Sequence, residues 1–122
     1  MAAPLVDTGA AVFVERAIGG TRTLAPADRL SPGDRVVYIV NWQRKAGAGS
    51  FIVTNPLPRA VNYQASADGT EEVSVDGGRT WGKLDALRVG SRRALPEDVT
   101  HVRWRIAAPA RSGSLAFSGI VR

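Results

Sequence analysis

Apolar and polar residues alternate along most of the chain, and the alternating stretches are separated by clusters of Gly, Pro, Asp and Ser. This pattern predicts β-strands joined by turns, and no stretch carries the apolar repeat of a helix. The first expected strand is AAVFVERA, residues 10–17. GGTRTLAPADRLSPGD follows as a loop with room for a short strand around Thr23, closing on a Pro-Gly turn. In RVVYIVNWQ, residues 35–43, Val36, Tyr38, Val40 and Trp42 share one face while Val37, Ile39 and Asn41 share the other. Both faces are apolar in the middle, so the strand is expected at the centre of a sheet.

SFIVTNPLP reads as a strand that stops at Pro56, because proline cannot donate to a ladder. VNYQAS is a short strand, and EEVSVD, a Gly-Gly turn and TWGKL are expected to form a hairpin. In VTHVRWRIA, residues 99–107, Val102, Trp104 and Ile106 point one way, and His101, Arg103 and Arg105 the other. LAFSGIVR is the last strand. The expectation is seven or eight strands in one all-β domain spanning residues 11–122, with residues 1–10 as an extended segment before it. Val12, Val14, Val36, Tyr38, Val40, Ile52, Val75, Val102, Trp104, Ile106, Leu115 and Phe117 are the expected core.

The 122 residues are enough for a packed core without metal or disulfide support, and the 44% hydrophobic content suits a globular domain. With no Cys, disulfides, thiolate zinc sites and Cys nucleophiles are excluded. The net charge of +5 comes from 16 basic and 11 acidic residues, and 14 of the basic ones are Arg. Those arginines are spread along the chain rather than clustered, which argues against a nucleic-acid partner. No apolar run approaches the roughly 20 residues of a membrane-spanning helix. The opening AAPLVD resembles the start of a mature exported protein after a removed signal peptide, which places the expected location in the periplasm, at the cell surface or outside the cell.

Little of the sequence points to catalysis. The single His, His101, falls on the outer face of a strand. No nucleophile elbow, phosphate-binding loop or dinucleotide fingerprint occurs. The paired carboxylates Glu71-Glu72 and Glu97-Asp98 are sequence neighbours, which a strand directs to opposite faces. The expectation is a non-enzyme without cofactor or metal.

Ser74-Val-Asp76-Gly-Gly78-Arg-Thr80-Trp81 fits the Ser-x-Asp-x-Gly-x-Thr-Trp pattern of the Asp box. It resembles the turn motif of sialidases and other β-propellers, where it lies away from catalysis. Here Ser74, Asp76, Gly78, Thr80 and Trp81 are expected to staple a hairpin. The Asp carboxylate accepts turn N–H groups, Gly supplies a positive φ, and the indole packs against the hairpin. A glycan or calcium contact at Asp76, with Asp68, Glu71 and Glu72 near it in sequence, is the sharper alternative.

SPGDRVVYIVNWQ, FIVTNPLPRAVNY and VTHVRWRIAAPARSGSLAFSGIVR, in that order, resemble a bacterial surface repeat once labelled "domain of unknown function eleven". Pro32-Gly33-Asp34, Thr54-Asn55-Pro56-Leu57-Pro58 and Trp104 stand at that family's marker positions. The resemblance implies an immunoglobulin-like antiparallel β-sandwich from an exported cell-surface protein. It carries one copy here, with NWQRKAGAGS where the family places another loop. The functional expectation is a structural or adhesive module, with other envelope proteins or a second copy as partner. Residues 2–10 would add a strand to a neighbouring sheet edge. The alternative is a binding module for glycan or another anionic polymer, contacted by Arg92, Arg93, Arg103 and Arg105, with Trp42 or Trp81 as an aromatic platform.

Overall fold

A computed structural model describes residues 6–27, 29–47, 49–66, 69–107 and 110–122. Among these residues ten strands form three antiparallel sheets: β1 (Val6–Ile18), β2 (Thr21–Pro26), β3 (Arg35–Arg44), β4 (Phe51–Pro56), β5 (Val61–Ser66), β6 (Glu72–Ser74), β7 (Arg88–Val89), β8 (Arg92–Arg93), β9 (His101–Ile106) and β10 (Ser112–Val121). One sheet has the order β2-β1-β3-β10-β5, the second β4-β9-β6, and β7 and β8 pair as a two-stranded ribbon. The all-β antiparallel sandwich expected from the alternation is therefore present.

The count exceeds the seven or eight strands read from the sequence. β7 and β8 span two residues each, too short to leave a periodic signal. β2 extends well beyond Thr23 and pairs with β1 through a two-residue Gly19-Gly20 turn. Both turn glycines have positive φ, 58° and 83°, as the tight hairpin turn requires. The expected hairpin after Ser74 forms only in part. β6 ends at Ser74, and its return is a single bridge between Val73 and Gly82.

The core lies between the five- and three-stranded sheets. From β3 the alternate residues Val36, Tyr38, Val40 and Trp42 are buried. Phe117 on β10 stacks on Tyr38 with centroids 4.8 Å apart, and Trp104 on β9 lies 5.8 Å from Phe117, so these rings tie the two layers together. Trp42 meets Phe51 of β4 edge-on at 5.1 Å. Val14, Val36, Val102, Trp104 and Phe117 have exposures of 2% or less. Ile52, expected inside, is instead 43% exposed. It pairs with Arg105 on the outer face of β9, and Val53 is the inward residue of β4. Val12, Val75 and Leu115 are only partly buried against the core.

Two polar groups buried inside the sandwich ends hold loops. Arg44 donates from Nε to the Ala110 carbonyl at 2.9 Å and from Nη2 to the Gly49 carbonyl at 2.8 Å, with its guanidinium 4.7 Å from the Phe51 ring centre. Glu71 accepts from the hydroxyls of Tyr63 and Ser66. Burial, with the Glu71 carboxylate beside it, pushes the Tyr63 hydroxyl pKa above its ordinary value.

The N-terminal segment departs most from expectation. β1 begins at Val6 rather than Ala10, and residues 6–10 already pair with β3, from Val6 opposite Arg44 to Ala10 opposite Val40. Those five residues belong to the domain rather than standing before it. The low hydrophobicity of Asp7-Thr8-Gly9 hides this, because pairing along an exposed strand needs no apolar side chains. Residues 2–5 lie outside the described residues.

Candidate interaction surfaces

Three places on the sandwich bear on function. The first is the turn after β6. Asp76 Oδ1 accepts from the Ser74 hydroxyl at 2.8 Å, from Thr80 N at 2.9 Å and from Arg79 N at 3.0 Å. Ser74 Oγ accepts from Gly78 N at 2.9 Å, and the Trp81 indole N–H donates to the Gly78 carbonyl at 2.9 Å. Gly77 and Gly78 have φ of 79° and 95°, conformations that other residues avoid. Hydrogen bonds, first from Thr80 N–H and then from the Ser74 hydroxyl, hold the Asp76 carboxyl down at a pKa of about 2. Ser74, Asp76, Gly78, Thr80 and Trp81 thus come together as one hydrogen-bonded turn.

This turn folds onto the outer face of the three-stranded sheet. The Arg103 guanidinium lies over the Trp81 ring, 4.5 Å from its centre, and pairs with Glu72 at 2.9 Å. His101 meets the Trp81 edge at 6.4 Å, and its Nδ1 lies 2.9 Å from the Thr100 hydroxyl. Arg105 continues the row as an exposed side chain with no ion-pair partner among the described residues. Arg92 and Arg93 sit elsewhere, on the β8 strand of the small ribbon. Arg92 forks onto both oxygens of Asp98 at 2.8 Å. Arg92, and the Leu95 N–H after it, lower the Asp98 pKa to about 2. The structure therefore pairs Arg103 and Arg105 on one face, each of Arg92 and Arg103 already engaging a carboxylate. Of the two platform candidates, Trp42 is buried in the core, while Trp81 is half-buried with Arg103 on its ring.

A groove of about 390 Å³ runs beside His101, lined by Arg59, Glu97, Asp98, Thr100 and Arg122 among others. Three of these five are engaged within the fold: Asp98 with Arg92, Thr100 Oγ1 with Gly77 N and the Ser74 carbonyl, and Arg122 with the Glu97 carbonyl. Among the described residues no three His, Asp or Glu side chains gather as a metal-binding group, and Asp68 lies outside the described residues.

The third place overlaps residues 2–10, expected from the sequence to donate a strand, but its open flank as part of β1 was not legible there. β2 runs alongside β1 only from Phe13 onward, and Ala27 N closes on the Val12 carbonyl at 3.1 Å. Residues 6–11 therefore pair with β3 on one flank and have no strand on the other among the described residues. Asp7, Thr8, Gly9, Ala10 and Ala11 are all exposed, so here both faces and one flank of the strand meet solvent. On the outer face, Asp7, Gln43 and Ser112 form one cross-strand row, and Gly9, Asn41 and Ser114 the next. These rows line a shallow, open depression of about 750 Å³.

Comparison with protein families, with curated proteins and with solved structures returned no match.

Proposed function

We propose that this chain is a non-catalytic structural or adhesive β-sandwich module of an exported or cell-surface protein, which engages its partner by strand addition along the open flank of β1. The observation that carries the reading is the run from Asp7 to Ala11, exposed on every side that β3 does not cover. An unpaired row of N–H and C=O groups is a ready template for another strand. The resemblance of the chain to bacterial surface repeats supports the setting. The role differs from the sequence expectation in one respect: residues 6–10 are fixed in their own sheet, so the module receives a strand there rather than donating that segment.

The test is a backbone one. Ala10 and Val12 share a parity along the strand, and the Val12 carbonyl points to the β2 side. Ala10 N–H therefore points out of the open flank, and Ala10→Pro removes an outward donor while sparing the β1–β3 ladder. Association measured by light scattering should fall in Ala10→Pro; association equal to the parent chain would sink strand addition. Fractionation of the producing cells tests the setting, which fails if the chain stays in the cytoplasm.

A second reading, glycan binding, is favoured by the amides and hydroxyls that rim this shallow depression. Asn41 and Gln43 present exposed amides there beside the hydroxyls of Ser112 and Ser114, a set suited to a polyhydroxylated ligand. Glycan-array binding that survives an Asn41→Ala/Gln43→Ala double substitution would remove it.

A further inference from the structure

Resting on the strand-addition reading, we infer that the occupant of the open β1 flank is a second copy of this chain, paired antiparallel about a two-fold axis through Gly9. The first argument compares edges. Natural sheets blunt their edges with proline, basic side chains, bulges or shortness. β2 carries Arg22 and Pro26, β4 ends at Pro56, β5 is bulged against β10 at Ser118/Gly119, and β6 is three residues long. Residues 6–12, VDTGAAV, carry no proline, basic side chain or bulge. Their one charge, Asp7, is met by Lys45 of the same chain at 3.1 Å. The flank is thus neutral, suiting an identical neutral flank in a chain of net charge +5.

The second argument fixes the register. Because the Val12 carbonyl faces the β2 side, Thr8 and Ala10 also direct their N–H and C=O groups outward, while Asp7, Gly9 and Ala11 face β3. An isologous antiparallel pair must therefore bond even-numbered residues to even-numbered ones. Of the registers that do so, the one centred on Gly9 spans residues 7–11 of the open segment, with Thr8 opposite Ala10 of the other copy and Asp7 opposite Ala11, and leaves the Val12 carbonyl to Ala27 N. It stops where β2 begins. Moving the centre to Asp7 would set two carboxylates face to face, and to Thr8 about 7 Å apart, whereas the Gly9 register holds them about 14 Å apart, at roughly 3.4 Å per residue. Gly9 falls at a non-hydrogen-bonded position, where two strands approach most closely, and it has no side chain to obstruct them. Such pairing is closed: each copy uses the one flank left open among the described residues, giving a dimer rather than a filament.

The cysteine-free chain allows a direct test. A Cβ at Gly9 meets nothing within 4 Å in the monomer, so Gly9→Cys should fold. Facing residues at a non-hydrogen-bonded position lie within disulfide reach. Under mild oxidation Gly9→Cys should cross-link to itself, and Asp7→Cys mixed with Ala11→Cys should cross-link several-fold more than either alone. Light scattering of the parent chain at rising concentration should approach twice 12.9 kDa. Equal cross-linking of Asp7→Cys alone and in the mixture would overturn the register. Association lost in Ala10→Pro, with no cross-linking of Gly9→Cys, would overturn the isologous pair while leaving strand addition standing. A chain that stays monomeric at every concentration would overturn the second copy as occupant, and capture of a different protein's strand at the same flank would then be what strand addition predicts.

Discussion

The guanidinium of Arg103 is held between two groups at once: Trp81, whose ring centre lies 4.5 Å below it, and Glu72, 2.9 Å from its Nη2. Its neighbour two residues along, Arg105, has neither among the described residues. The two outer-face arginines, indistinguishable by alternation, should therefore separate by experiment. Arg103→Ala should lower unfolding free energy by about 1 kcal/mol, combining a lost cation–π contact and a half-exposed ion pair. Arg105→Ala should change it by less than about 0.5 kcal/mol. Denaturant titrations of both variants decide this, and equal effects would mean that Arg103 is not fixed by its neighbours.

Acid should loosen the molecule through two turns. Asp76 and Asp98 both have pKa values lowered from 3.8 to about 2, the first by the Thr80 N–H and Ser74 hydroxyl, the second by Arg92. A carboxyl whose folded pKa is depressed contributes stability that is fully present above its unfolded pKa and is lost as pH falls toward the folded one. Thermal midpoints should thus hold steady down to about pH 4 and drop between there and about pH 2. Asp76→Asn and Asp98→Asn should each flatten that drop. An unchanged acid limb in both variants would show that these turns do not set it.

Gly119 should tolerate no side chain. A Cβ there would sit 2.4 Å from Val61 Cγ1 and 2.7 Å from the Asn62 carbonyl oxygen, and the second of these is backbone. Gly119→Ala should destabilise by about 1–3 kcal/mol. Gly9→Ala is the control: it meets open space and should be nearly neutral. If the two variants unfold at the same denaturant concentration, β5 and β10 do not approach as closely at Gly119 as described.

What the sequence disclosed follows from which signals are periodic. Alternation across Val36, Tyr38, Val40 and Trp42, and across Val102, Trp104 and Ile106, located β3 and β9 with the correct inner faces, because half-buried strands must alternate. The Ser-x-Asp-x-Gly-x-Thr-Trp spacing disclosed the turn for a different reason: the hydrogen bonds among its marker residues are local, from Ser74 to Trp81, and only its anchoring to Thr100 is long-range. Ile52 was misplaced by one residue of parity, which a short strand flanked by Ser50 and Thr54 does not fix. The flank of β1 was invisible because an edge is a property of neighbours. Nothing in Asp7-Thr8-Gly9-Ala10-Ala11 says that β2 will stop at Pro26, opposite Phe13.

Arg44 offers a test of how the sandwich end is closed. β3 runs one residue past the expected Gln43, so Arg44 continues the inward face beyond Trp42 and a guanidinium is buried there. Its two donors are matched to the carbonyls of Ala110 and Gly49, and its planar face rests on Phe51, so the charge is satisfied on three sides. Arg44→Met keeps much of the volume but leaves both carbonyls without their donors. A loss of about 2–4 kcal/mol is expected, since each hydrogen bond to a charged group contributes about 1.5–3 kcal/mol. Arg44→Lys should recover little of it, because an ammonium cannot present the fork that reaches two loops at once. Chemical denaturation separates the cases. If Lys restores stability fully, the charge alone matters and the forked geometry does not; if Met costs less than about 1 kcal/mol, the end of the sandwich is held by Trp42 and Phe51 without it.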